Sequence, residues 1–210
     1  MAQTGQVQAY PKEWYKRVQS LYDEHQEKLS EYIGLLLWWN KKINLISRSI
    51  NKEELASHVE HSLLSYPILD RDRQETVWDL GTGGGLPGIP LAIVDPNCRW
   101  VLNDSVNKKI LAVKNICKKM GLDQVDFSNE DFRKMAYQKG DSAVTKHAFS
   151  LGDFFSAEGV DQLKKVVFYK GFPVEEKNAE QIMEDRKCAI YTLEHLGSFY
   201  EGKALYVCNP

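Results

Sequence analysis

The residues best suited to chemistry lie in one stretch, Val77-Trp78-Asp79-Leu80-Gly81-Thr82-Gly83-Gly84-Gly85-Leu86-Pro87-Gly88. An apolar run enters a glycine-rich turn, and a helical apolar pattern leaves it. Glycines at such a turn permit positive φ and let the backbone approach a ligand with no Cβ in the way. Pro87 suits the first turn of the helix that follows. Two ligands fit the spacing. Gly83, Gly85 and Gly88 satisfy G-x-G-x-x-G, which seats a dinucleotide pyrophosphate. Asp79, Gly81, Gly83 and Gly85 satisfy acid-x-Gly-x-Gly-x-Gly, a loop that takes S-adenosylmethionine. A carboxylate at Asp79 repels a pyrophosphate and attracts the ammonium of a methionine moiety. The charge therefore favours the methyl donor.

Asp104 follows 23 residues after Gly81, at the end of the next apolar run. An acid there can accept from both ribose hydroxyls of either nucleotide; it can equally cap the helix that begins near Val106. Asn129 and Glu130 follow the third apolar run, where an adenine would lie or another helix would be capped. No Ser/His/Asp set and no paired carboxylates are spaced for proton transfer. The five histidines are scattered, and no metal ligand set is expected. The four cysteines, Cys98, Cys117, Cys188 and Cys208, form no Cys-x-x-Cys pair, so reduced structural thiols are expected.

These residues need a scaffold, and the periodicity supplies one. Trp14, Val18, Leu21 and Tyr22 recur at helical spacing, as do Leu29, Ile33, Leu36 and Leu37. A further helix runs from about Lys52 to Tyr66, capped by Asn51 and stopped before Pro67. From Glu75 onward short apolar runs alternate with helical stretches. Strands are predicted at 76–80, 100–102, 125–127, 142–145, 166–169, 189–193 and 204–208. Helices are predicted at 86–94, 106–120, from about 130, near 151–155, and from Pro173 to about Met183. This alternation implies an α/β fold with a mostly parallel, doubly wound sheet. The predicted division is a helical extension over 1–70 and a ligand-binding domain over 71–210.

Apolar residues make up 43% of the chain and charged residues 27%, as in an ordinary soluble domain. No apolar run approaches the roughly 20 residues of a membrane helix. A cytoplasmic protein without a membrane partner is expected, with a monomer as the default oligomeric state. The net charge of −2 gives no bulk signal for nucleic acid, so any RNA contact must be local. Lys108, Lys109, Lys114, Lys118 and Lys119 form one basic group. Lys41, Lys42 and Arg48 form another, and Lys164, Lys165 and Lys170 a third. Trp38 and Trp39 can stack on bases or pack in the core.

The segments Trp39-Asn40-Lys41-Lys42-Ile43-Asn44-Leu45, His61, Asp79 through Leu91, and Asp104-Ser105 with Lys108-Lys109 together resemble the GidB (RsmG) methyltransferases. The likeness runs from about Leu29 to Leu151 and weakly on to Lys170-Gly171 and the last strand. The resemblance implies a Rossmann-like class I S-adenosylmethionine methyltransferase that modifies guanine N7 in 16S ribosomal RNA. It implies a ribonucleoprotein substrate, the small ribosomal subunit. Carried over by position, cofactor contacts fall on Gly81, Leu86, Asn129, Glu130 and Lys146, and the ribose acid on Asp104. Lys146 is the residue expected near both cofactor and acceptor. Lys108, Lys109, Lys170 and His61 are the expected RNA-facing residues, with a structural hydrogen bond as the bland role for His61. Four positions depart from the family pattern: Glu60, Leu64, Ser128 and Lys146-His147. They motivate a second reading, a non-catalytic RNA- or ribosome-binding relative. The glycine spacing leaves a third, a Rossmann-type oxidoreductase.

Overall fold

The computed structural model describes residues 7–69 and 75–210. The predicted division between residues 70 and 71 lies outside the described residues. Three helices come first: α1 (Lys12–Glu24), α2 (Gln26–Asn40) and α3 (Lys52–Leu63). Asn51 caps α3, its side chain accepting from the Glu54 amide at 2.7 Å. The strand–helix alternation then appears as predicted, with ends shifted by a residue or two. Its elements are β2 (Thr76–Leu80), α4 (Gly88–Val94), β3 (Arg99–Asn103), α5 (Asn107–Met120), β4 (Val125–Ser128) and β5 (Ser142–Lys146). After them come α6 (Leu151–Phe155), β6 (Lys165–Gly171), α7 (Ala179–Asp185), β7 (Ala189–Thr192) and β8 (Lys203–Cys208). Gly121, in the left-handed region at φ 66°, ends α5.

One strand was not expected. β1 (Val7–Ala9) pairs in parallel with β7, so the segment ahead of the helices joins the sheet. Three exposed residues carry too little alternation to announce a strand. The helix expected after Pro173 begins only at Ala179. The short helix expected near 130 is a single 3-10 turn, Phe132–Lys134, capped by Asp131.

The sheet has eight strands in the order β1-β7-β8-β6-β5-β2-β3-β4. All pairs are parallel except those of β8, which runs antiparallel to β6 and β7. From β2 the chain winds outward through β3 and β4, then returns to place β5 on the other side of β2. Order reversal at β2 opens a crevice beyond the carboxyl ends of β2 and β5, where ligands of such sheets bind.

Strand alternation divides the core. Val77, Val144, Val167 and Tyr169 join the first three helices, α4 and α5 in one apolar cluster. Ala143, Val166, Phe168 and Tyr206 join α6 and α7 in the other. Among the described residues no helix is long and apolar enough to cross a membrane.

The cysteines need a correction. Cys98 and Cys117 are free and buried, but Cys188 and Cys208 form a disulfide. Pairing of Ala189 with Val207 puts residues 188 and 208 opposite one another, with Cα atoms 4.1 Å apart. That closeness belongs to a directly facing antiparallel pair. Irregular spacing in the sequence could not reveal it, because the register of two strands created it. A thiol count on denatured, unreduced protein should therefore give two groups. A count of four would show that the pair is reduced in solution.

Candidate functional site

The turn from β2 into α4 is shaped by backbone freedom at three glycines. Gly81, Gly83 and Gly85 have φ of 76°, 56° and 102°, values that L residues seldom adopt. The first turn of the loop is fastened to the neighbouring strand, Gly81 and Thr82 both donating to the Asn103 carbonyl. Close packing also explains Gly88. A Cβ there would lie 2.6 Å from Asp79 Oδ2.

Asp79 is fully buried beneath this loop. Its Oδ2 accepts from Thr82 Oγ1 at 2.6 Å and from the Gly88 amide at 2.8 Å. Oδ1 has no partner. The sequence reading aimed this carboxylate at a ligand ammonium; the structure turns it inward, and it does not line the cavity. The reason is strand parity, which points Asp79 to the same side as Val77. Burial pushes its pKa up to about 7, against the opposing pull of its two donors and of Lys146.

Asp104 directly follows β3 and lines the cavity. Its Oδ2 accepts from the Gly83 amide at 3.1 Å and faces the Lys109 ammonium at 3.3 Å. Its Oδ1 accepts from the Val106 amide at 2.9 Å. The capping role and a place at the ligand site therefore coexist in one side chain.

The cavity at the crevice measures about 880 Å³, within the range of small-molecule sites. Gly81, Gly83, Leu86, Asp104, Lys109, Glu130 and Lys146 all line it. Asn129 does not, but its side chain donates to the Asp104 carbonyl at 2.8 Å. Gly85 stands behind the loop, where a Cβ would meet Ile89. Lys146 follows Val144 in parity, so its side chain turns to α3. Its ammonium donates to the His58 carbonyl at 3.0 Å and to Ser62 Oγ at 3.3 Å. Burial lowers this amine to about 7.

Two expected RNA-facing residues are withdrawn from the surface. His61 is buried against Tyr169, Phe199 and Tyr200. Neither ring nitrogen has a hydrogen-bond partner, so the expected structural bond is absent too. Burial holds it well below the ordinary imidazole range and therefore neutral. Lys170 is also buried, on the opposite sheet face from Tyr169. It donates to the Phe149 carbonyl at 2.7 Å and pairs with Glu176 at 2.5 Å. Lys108 is exposed at the start of α5, beside Lys109.

The loop after α2, whose sequence offers only the basic group Lys41, Lys42 and Arg48, also builds part of the cavity. Leu45, Ile46, Ser47 and Ile50 form a wall of the cavity. Asn40 folds that wall. Its Oδ1 accepts from the Leu45 and Ile46 amides at 2.9 and 3.0 Å, and its Nδ2 donates to the Ser47 carbonyl. An Asn closing a helix and followed by polar residues was the available signal. Tyr32 of α2 reaches the loop as well, donating to the Gly84 carbonyl at 3.1 Å. Trp38 is exposed with the Lys42 ammonium 3.6 Å above its ring, while Trp39 packs against the core. Among the described residues no group of three or more His, Cys, Asp or Glu is gathered as for a metal ion.

Residues 25–200 match the family described as GidB, rRNA small subunit methyltransferase G. The ribosomal RNA small subunit methyltransferase G of Chlorobaculum tepidum is 37% identical over 161 residues, covering 76% of this chain and 74% of that protein. The protein of the same name from Chlorobium limicola is 49% identical over 102 residues, a match that spans about half of each chain. Among solved structures, the precorrin-6y C5,15-methyltransferase of Geobacter metallireducens superposes with a TM-score of 0.53. It is 15% identical and covers 70% of this chain and 86% of that one. The pyocyanin biosynthetic protein PhzM superposes at 0.54 with 13% identity, over 75% and 56% of the two chains. At such identities the superpositions speak for the fold alone.

The buried carboxylate gives a pH signature. A folded-state pKa near 7 for Asp79 exceeds that of an unfolded aspartate, near 3.8. The folded chain then holds the extra proton between those values, so this group's contribution to stability falls as pH rises from about 4 to 7. Melting temperatures across that window should drop for the wild type relative to Asp79→Asn. Parallel curves would show that Asp79 ionises normally.

Proposed function

Because the chain belongs to the GidB family of small-subunit rRNA methyltransferases, we propose that it methylates N7 of a guanine in that RNA. It is an S-adenosylmethionine-dependent RNA methyltransferase of α/β, Rossmann-like fold. Family membership sets aside the oxidoreductase reading. The observation that carries the site assignment is the Asp104 carboxylate held on the Gly83 amide at 3.1 Å, both residues lining a cavity of about 880 Å³.

The residues present fit the cofactor. Asp104 lies where a carboxylate would accept from ribose hydroxyls, and Gly83 leaves its backbone open to close approach. Glu130 and Leu86 line the remaining wall for a nucleoside. The bound cofactor supplies an electrophilic methyl group. Guanine N7 carries a lone pair outside the aromatic sextet, so the chain needs no general base. The work left to the protein is to hold the acceptor in line and to keep water out. Lys146 supports this reading as a positioning residue: it ties the end of β5 to α3 through the His58 carbonyl. Its replacement by Ala should lower turnover more than cofactor affinity.

RNA would arrive along the outer face of the cavity wall. Lys41, Lys42 and Arg48 are exposed on the loop whose inner side lines the cavity, and Lys108 is exposed beside Lys109, which lines it. Contacts of this kind neutralise phosphates and weaken with salt.

Titration with S-adenosylhomocysteine by calorimetry should show one saturable site, and NADH none. Asp104→Ala removes a charged acceptor worth roughly 1.5–3 kcal/mol per hydrogen bond, or about 10- to 100-fold in affinity. Gly83→Val strains a positive-φ position at the cavity wall and should weaken binding too. Unchanged affinity in both variants would refute the pocket. Nucleosides from small subunits treated with the enzyme should contain new 7-methylguanosine. Binding of S-adenosylhomocysteine without any methyl transfer would favour the non-catalytic relative.

A further inference from the structure

A second cavity, of about 420 Å³, opens beside the first and shares the wall formed by His147 and Phe149. Its other side is Lys170 near the end of β6 and the segment that follows, with Pro173, Glu175 and Glu176. The geometry points to this cavity as the seat of the acceptor guanine, with the Glu175 carboxylate reading its Watson–Crick edge. The inference rests on the N7 reading given above.

N7 lies on one edge of the purine with O6 at its corner, and N1–H with the N2 amino group lies on the adjoining edge. A guanine whose N7 enters the larger cavity beside His147 and Phe149 keeps N1–H and N2–H within the smaller one. The complement to two parallel N–H donors is a carboxylate, which only accepts and takes two bonds side by side. Two carboxylates are there, but one is already committed. Glu176 Oε1 accepts from Lys170 at 2.5 Å, and Oε2 accepts from the Leu151 amide at 2.6 Å. Glu176 therefore holds the cavity together by joining β6 to the start of α6. Glu175, its neighbour, lines the same cavity and is exposed.

Lys170 completes the pattern. Its ammonium has three donors, of which one goes to the Phe149 carbonyl and one to Glu176. A third suits guanine O6, which lies between N1 and N7. Adenine lacks both O6 and N1–H, so the same groups would be left unpaired against it, which costs affinity. The Phe149 ring offers a face for stacking. An edge read in this way is unavailable for base pairing, so the acceptor guanine must be unpaired or flipped out.

Single-turnover methyl transfer tests this. Small ribosomal subunits from cells lacking the modification receive labelled methyl groups from S-adenosylmethionine, and the product nucleosides are identified by mass spectrometry. Wild type, Glu175→Gln and Glu176→Gln are compared, with the affinity for S-adenosylhomocysteine and the melting temperature measured for each. The expected result is 7-methylguanosine from the wild type and at least a tenfold slower reaction for Glu175→Gln. Cofactor affinity and melting temperature of Glu175→Gln stay at wild-type values, whereas Glu176→Gln melts lower. A Glu175→Gln rate within twofold of wild type overturns the inference, as does a loss of cofactor affinity matching the loss of rate. A wild-type product other than 7-methylguanosine overturns the N7 reading itself, so the two failures are distinguishable.

Discussion

One buried oxygen, Asp79 Oδ2, holds the glycine loop to the sheet. It accepts from Thr82, near the loop's start, and from Gly88, the first residue of α4. The exit of β2 and the entry of α4 are thereby fixed to a single atom. Burying a carboxylate is costly, and the rise of its pKa to about 7 is the mark of that cost. What it secures is geometry: with both ends held, the positive-φ turn between them has one shape. Asp104 completes the restraint from the neighbouring strand by accepting from Gly83.

The helices ahead of the sheet are part of the site and do more than cover it. Tyr32 binds the Gly84 carbonyl, and Gly84 sits so close to Leu36 that a Cβ would come within 2.7 Å of it. Asn40 folds the segment that supplies a cavity wall, and α3 receives the Lys146 ammonium. A change in α2 would therefore reach the ligand loop through packing. The family match beginning at residue 25 takes in α2 from its start, as this coupling would require.

Legibility in the sequence followed the range of the physics. Strands, helices and the glycine turn are local patterns, and the strands from Glu75 onward were readable to within two residues, while the helix after Pro173 began six residues later than its pattern implied. Directions of side chains were not readable. Lys109 and Lys170 are both lysines near the ends of core elements, yet one meets Asp104 at the larger cavity and the other is buried against Glu176 at the smaller one. That difference depends on which sheet face Lys170 occupies and on where the segment after Pro173 returns. His61 sat in a recognisable motif, but its burial follows from Tyr169 and Tyr200, more than 100 residues away. The Cys188–Cys208 pair likewise needed the register of β7 on β8.

Electrostatics links the fold to the chemistry of a cationic methyl donor. Burial lowers the imidazole of His58 to about 4, and lowers that of His147 as well. Both histidines line the cavity and so stay largely uncharged near neutral pH. A buried positive charge repels a cationic ligand strongly where water is scarce, so neutral imidazoles leave room for one. Lys146 fits the same logic. An amine lowered to about 7 can shed its proton beside a cation.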